Sequence, residues 1–136
     1  MEKIIVIDDT SSIRNQVRTI LTKEGFNVLE AENGKLGIDL IKENLDCSLI
    51  IVDLNMPIMG GFEMLETLEK QDIGTEIPKV IFTTEGIGDK DNSQKIKEHG
   101  KDLGVKTWFT KPLTSKREAI LITTVKKLVK KYNKND

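Results

Sequence analysis

Ile4-Ile5-Val6-Ile7-Asp8-Asp9 is an unbroken apolar run that stops on two carboxylates, and Leu49-Ile50-Ile51-Val52-Asp53 repeats the pattern. Short runs rich in β-branched side chains are what a strand buried on both faces requires. The acidic stop then falls just past each strand's carboxyl end. Outward from these runs, strand-like and helix-like segments alternate. Ser11–Glu24 carries Ile13, Val17, Ile20 and Leu21 at helical spacing, and Gly25 stands where a helix terminator belongs. A short strand over Asn27–Glu30 precedes a helix over Gly34–Glu43 that is expected to bury Leu40 and Ile41. The loop Leu54–Gly61 holds Pro57 and two glycines, after which Phe62, Leu65 and Leu68 set the phase of a third helix. Pro78 introduces a strand over Lys79–Phe82, and a polar helical stretch spans Asp89–Asp102. Val105–Phe109 reads as the last strand. Ser115 and Glu118 stand at capping-box spacing before a final helix expected to bury Ile122, Val125, Val129 and Tyr132.

Five strands alternating with five helices define an α/β, doubly wound, five-stranded parallel sheet. Right-handed crossovers place every strand's carboxyl end on one edge, where such sheets bind ligands. Length supports one unit: 136 residues suit a single core, so residues 1–136 are expected to form one domain with no output domain.

Composition narrows the chemistry. Leu, Ile, Val and Phe total 42 of 136 residues, too many for a disordered chain. No apolar run approaches the length of a membrane span, and the first one breaks at Asp8-Asp9, unlike a signal peptide. A soluble cytoplasmic protein is expected. The single cysteine, Cys47, permits no internal disulfide or cysteine-based zinc site, and reads as a small buried hydrophobe. The single histidine, His99, disfavours a histidine-based triad or a multi-histidine metal site, and reads as a helix-face residue. Lys111–Asp136 carries eight Lys or Arg against two acids, which leaves 13 basic and 20 acidic residues upstream. An acidic body with a basic last helix (Lys126, Lys127, Lys130, Lys131) does not suggest a nucleic-acid binder. Gly86-Ile87-Gly88 lacks the third glycine of a dinucleotide loop, and no Walker sequence is present.

What remains is the set of polar residues past the strands: Asp8-Asp9, Asp53, Thr83-Thr84 and Thr110-Lys111-Pro112. Singly, each fits a bland role. An Asp pair after a strand can cap a helix, Asp53 can serve a turn, and Lys111-Pro112 can be an ordinary loop. Their common address makes a site. Three clustered carboxylates repel unless a cation joins them, and a hard divalent ion such as Mg²⁺ takes such oxygen ligands. A carboxylate could then act as nucleophile toward a phosphoryl donor, with the lysine and hydroxyl binding oxygens of the transferred group.

These stretches, with Asp53-Leu54-Asn55-Met56-Pro57-Ile58-Met59-Gly60-Gly61 and Trp108-Phe109-Thr110-Lys111-Pro112, resemble the receiver domain of bacterial response regulators over nearly the whole chain. The resemblance implies a flavodoxin-like sheet in the order 2-1-3-4-5 and a two-component signalling role. It implies that Asp53 accepts phosphate from a histidine kinase. Asp8, Asp9, Asp53 and the main-chain carbonyl of Asn55 would hold Mg²⁺. Lys111 would pair with the phosphoryl group, Thr83 would move to bond it, and Lys111–Pro112 would be cis. Asn55 and Glu85 resemble the pair that tunes dephosphorylation in chemotaxis regulators. That branch implies a flagellar motor switch protein or another target, a possible phosphatase and a monomer. Two departures stand out. Trp108 replaces the family's usual Tyr or Phe, and it follows Thr83 by 25 positions, about one and a half helical turns beyond the usual gap. A phosphorelay intermediate shares these features. So does an aspartyl-phosphate phosphatase, although such an enzyme usually needs a second acid where this chain has Asn55. A flavodoxin-like phosphate binder is disfavoured because Asp8-Asp9 would repel its ligand.

Overall fold

The computed structural model describes residues 1–84 and 90–133, with backbone alone over 90–93. Its elements alternate in chain order: β1 (Lys3–Ile7), α1 (Ser11–Lys23), β2 (Asn27–Ala31), α2 (Gly34–Glu43), β3 (Leu49–Val52), α3 (Gly61–Lys70), β4 (Lys79–Thr83), α4 (Lys90–Asp102), β5 (Val105–Thr110) and α5 (Ser115–Tyr132). The strands form one parallel sheet in the order β2-β1-β3-β4-β5. The flavodoxin-like α/β topology expected from the sequence is the one observed.

Alternation along each strand divides the core in two. Ile5, Ile7, Ile50, Val52 and Ile81 face α2 and α3, where Ile38, Ile41, Met64, Leu65 and Leu68 close over them. Ile4, Val6, Leu49, Ile51, Val80 and Phe82 face α1 and α5, against Val17, Leu21, Leu121, Val125 and Val129. The central strands are thus apolar on both sides, which explains their unbroken apolar runs.

Local signals set the helix ends. Gly25 adopts φ +92° just past α1, a left-handed turn that suits glycine. Asn33 caps α2 by accepting the Leu36 N–H at 2.9 Å. The cap of α5 lies one residue before the expected position. Thr114 accepts the Arg117 N–H at 3.3 Å, so Ser115 is already helical. Leu121, Val125 and Val129 form the buried stripe at i, i+4 and i+8, while Ile122 and Tyr132 are half-buried at its margin. In α2 the buried pair is Ile38 and Ile41, one turn apart, and Leu40 is half-buried on the flank. No helix of the described residues is long and apolar enough to cross a membrane.

Candidate functional site

Register at the carboxyl edge of the sheet builds the site. Ile7 pairs with Val52, so the next residues, Asp8 and Asp53, leave adjacent strands side by side. The Asp53 N–H donates to the Ile7 carbonyl at 2.9 Å, and the Asp8 N–H donates to that of Ala31 at 3.1 Å. On the other flank Thr83 pairs with Thr110, and the Lys111 N–H donates to the Thr83 carbonyl at 2.8 Å. Four strands thus deliver Asp8, Asp53, Thr83 and Lys111 to one crevice.

Asp8, Asp53 and Thr83 are buried, and Asp9 is exposed. Carboxylate oxygens of Asp8, Asp9 and Asp53 lie within 4.8 Å of one another. Lys111 Nζ sits 2.7 Å from Asp8 Oδ2 and 3.3 Å from Asp53 Oδ2, bridging the buried pair. Burial and the nearby Asp8 charge push the Asp53 pKa up, while Lys111 and a backbone hydrogen bond from Asn55 pull it down; the net shift is upward. The carboxyl edge therefore carries excess negative charge that one lysine does not cancel. The donor set is entirely oxygen, and it fits a hard divalent ion whose octahedral ligands span roughly 4.2 Å.

Past Asp53 the chain folds back tightly. The Gly61 N–H donates to the Leu54 carbonyl at 2.9 Å. A Cβ on Gly61 would lie 2.3 Å from the Asp53 carbonyl oxygen, so this glycine lets α3 begin directly against the acidic residue. Met56 and Met59 pack onto the core from the same loop, while Ile58 projects into solvent at φ +71°. Asn55 is exposed at the rim, and Lys111–Pro112 is cis.

Trp108 stands apart from the carboxylates. It is half-buried on the α2–α3 side of the sheet, its ring 6.2 Å from Phe62 in an edge contact, while Phe109 packs on the opposite face. A Cβ on Gly100 would meet the indole at 2.9 Å, so that glycine is the notch in α4 that admits the bulky ring. His99 lies 5.2 Å from the Phe62 ring and 3.4 Å from Glu66, on the helix face where the sequence placed it. Cys47 is buried, and burial pushes its thiol up to about 11. Glu85 and Gly86-Ile87-Gly88 lie outside the described residues.

Sequence reasoning missed two cations, one buried and one half-buried. Lys79 opens β4 fully buried, its Nζ donating to the Gly74 carbonyl at 2.7 Å at the sheet edge remote from the carboxylates. A lysine heading the apolar run Val80-Ile81-Phe82 was the available signal. Arg14, on α1, donates from Nη1 to the Asp8 carbonyl at 2.6 Å. Nothing in its own sequence neighbourhood marked it.

A parallel α/β sheet with three carboxylates, a lysine and a buried hydroxyl at its carboxyl edge defines an acidic-pocket module of the doubly wound class. The chain belongs to the response regulator receiver domain family, whose model matches residues 4–124. It is thus a receiver domain of the two-component type, a family of signalling proteins. A chemotaxis protein CheY homolog of Campylobacter jejuni is 34% identical over 113 residues, covering 82% of each chain. Sporulation initiation phosphotransferase F of Bacillus subtilis is 34% identical over 132 residues, covering 96% of this chain and 93% of the relative. Among solved structures, Vibrio cholerae chemotaxis protein CheY4 has a TM-score of 0.79 at 29% identity, covering 94% of this chain and 98% of that one.

Proposed function

We propose that this receiver accepts a phosphoryl group on Asp53 from a histidine kinase and changes conformation to bind a target. The observation that carries the reading is the Lys111 ammonium held between Asp8 and Asp53, at 2.7 and 3.3 Å, beside three clustered carboxylates. An Asp53 carboxylate oxygen attacks phosphorus, the donor's P–N bond breaks, and its electron pair returns to the imidazole nitrogen, which takes a proton. Lys111 then turns from two carboxylates to the new phosphoryl oxygens, and the Thr83 hydroxyl donates to one of them. Asp8, Asp9, Asp53 and the Asn55 carbonyl would hold Mg²⁺. When bound, that ion offsets charge on the phosphoryl oxygens. Asn55 and Glu85 would set the lifetime of the acyl phosphate, and Trp108 would report the switch. The output is a conformation and not turnover.

The Campylobacter jejuni and Vibrio cholerae relatives, each called a chemotaxis protein, support a flagellar motor switch protein as the target. A relay role, with the phosphoryl group passed on to another histidine, is supported by the Bacillus subtilis phosphotransferase, which matches over 96% of this chain. A cytoplasmic location and a monomeric state go with either reading. Incubation with acetyl phosphate and Mg²⁺, followed by removal of the donor, tests them together. Label lost as inorganic phosphate supports the target-binding role; label recovered on an added histidine phosphotransfer domain supports the relay. A chain that takes up no label refutes both.

A further inference from the structure

Asp8 is held at every polar atom. Its N–H donates to the Ala31 carbonyl at 3.1 Å, its Oδ1 accepts the Thr10 N–H at 2.9 Å, and its Oδ2 meets Lys111. Its carbonyl accepts Arg14 Nη1 at 2.6 Å. The same guanidinium donates from Nε to Glu30 Oε1 at 3.1 Å, and Glu30 Oε2 takes Arg18 Nη1 at 2.5 Å. Arg14 and Glu30 keep 17% and 23% of their side-chain surface exposed, so the pair is shielded where Arg18, at 47%, is not.

We propose that Arg14 is a positioning residue for the metal-binding carboxylates, its guanidinium tying the Asp8 carbonyl to Glu30 on the sheet's edge strand. The proposal rests on the phosphoacceptor reading and specifies how that site keeps its shape. The Asp8 carbonyl belongs to the peptide plane that leads into Asp9. Fixing that oxygen fixes the plane, and with it the direction in which the exposed Asp9 carboxylate leaves the loop. A guanidinium suits the task because its rigid fork makes two bonds in set directions, whereas an ammonium is a single point of charge. Glu30 has a second effect. A lone arginine one peptide away from the carboxylates would repel an incoming cation. Glu30 offsets that charge where it lies nearest the carboxylates, and Arg18, on the other Glu30 oxygen, keeps its own charge toward solvent. Outer partners of metal ligands commonly change affinity by 10–100-fold when removed.

Titration calorimetry of the full chain with MgCl₂, paired with melting curves in chelator, tests the proposal. Arg14→Met should weaken Mg²⁺ binding by roughly tenfold, the low end expected for such a partner. Its melting midpoint in chelator should stay within a few degrees of the native value. Arg14→Lys should not restore affinity. Glu30→Gln should weaken binding less, with a deficit that shrinks as salt screens the uncovered arginine. The double variant should be no worse than Arg14→Met alone, because the two residues act as one clamp. Arg18→Met should stay near native affinity. Equal Mg²⁺ affinity in native and Arg14→Met proteins would overturn the proposal and leave the phosphoacceptor reading standing. A native protein that binds no Mg²⁺ would overturn both. If Arg14→Met fails to fold, the affinity of Glu30→Gln against native decides the matter.

Discussion

Replacing Asp53 by Asn removes one negative charge from a buried pocket and leaves its shape nearly unchanged. At an effective dielectric near 20, carboxylate oxygens no more than 4.8 Å apart repel by about 3.5 kcal/mol or more, and Lys111 at 3.3 Å attracts Asp53 by about 5 kcal/mol. Repulsion from Asp8 and Asp9 together exceeds that attraction by about 2 kcal/mol. Solvent around the exposed Asp9 trims the excess, and the burial of Asp53 enlarges it. Asp53→Asn should therefore stabilise the fold by about 1–2 kcal/mol with metal chelated, a rise of roughly 4–8 °C in melting midpoint for a chain of this length. Mg²⁺ at tenfold excess over its Kd should return about 1.4 kcal/mol to the native protein, and less to the variant. The pH dependence has a defined sign. Burial and Asp8 raise the Asp53 pKa above 3.8, so the ionised form is the costly one in the folded state. In chelator the variant's advantage should be absent below pH 3.8, open as pH rises through the raised value, and hold constant above it. Calorimetric melts across pH 3.5–8, an assay range of about the width this titration needs, measure the gap directly. A variant that melts at or below the native protein throughout, with both indifferent to Mg²⁺, would refute the argument from crowded charge.

Ile58 is a β-branched residue at φ +71° and 77% exposed, so Ile58→Asn should gain about 1 kcal/mol by relieving a left-handed strain, read as a higher melting midpoint. Lys79 is buried and its pKa is depressed, so the unfolded chain holds that proton more tightly. The stability of native protein relative to Lys79→Met should accordingly grow as pH rises toward 10.5; a gap that stays flat in urea titrations would contradict the charged burial. Trp108 packs against Phe62 and the Gly100 notch, so beryllofluoride with Mg²⁺ should change its emission, and Thr83→Ala should abolish the change while the mimic still binds. Unaltered emission and quenching at saturating mimic would make the indole a static part of the core.

Much of the carboxyl edge was legible because two simple signals coincide there. Apolar runs located the strands, and alternation with helices made their ends neighbours, so Asp8, Asp53, Thr83 and Lys111 could be gathered before any coordinates. What escaped depends on orientation in three dimensions. The α5 cap fell on Thr114 because the choice between adjacent hydroxyl residues turns on backbone angles, and burial of Leu121 in place of Ile122 depends on which face of α5 meets the sheet. Lys79 looks solvent-bound by composition, yet the carbonyls of Gly74 and Thr75 give its ammonium partners inside the fold. Arg14 and Glu30 lie 16 positions apart, and only the parallel pairing of β1 with β2 brings them together beside Asp8. The strain at Ile58 has no trace in the sequence.

The proposed phosphoacceptor role requires that Asp53 alone receive the phosphoryl group. Acetyl phosphate with Mg²⁺, then borohydride reduction and peptide mass mapping, reads it directly, since reduction converts an aspartyl phosphate to homoserine at the modified position. Homoserine is expected at position 53, none at 8 or 9, and none anywhere when Mg²⁺ is chelated or Asp53 is replaced by Asn. Homoserine at Asp8 or Asp9 in the native protein, or undiminished labelling of Asp53→Asn, would contradict it.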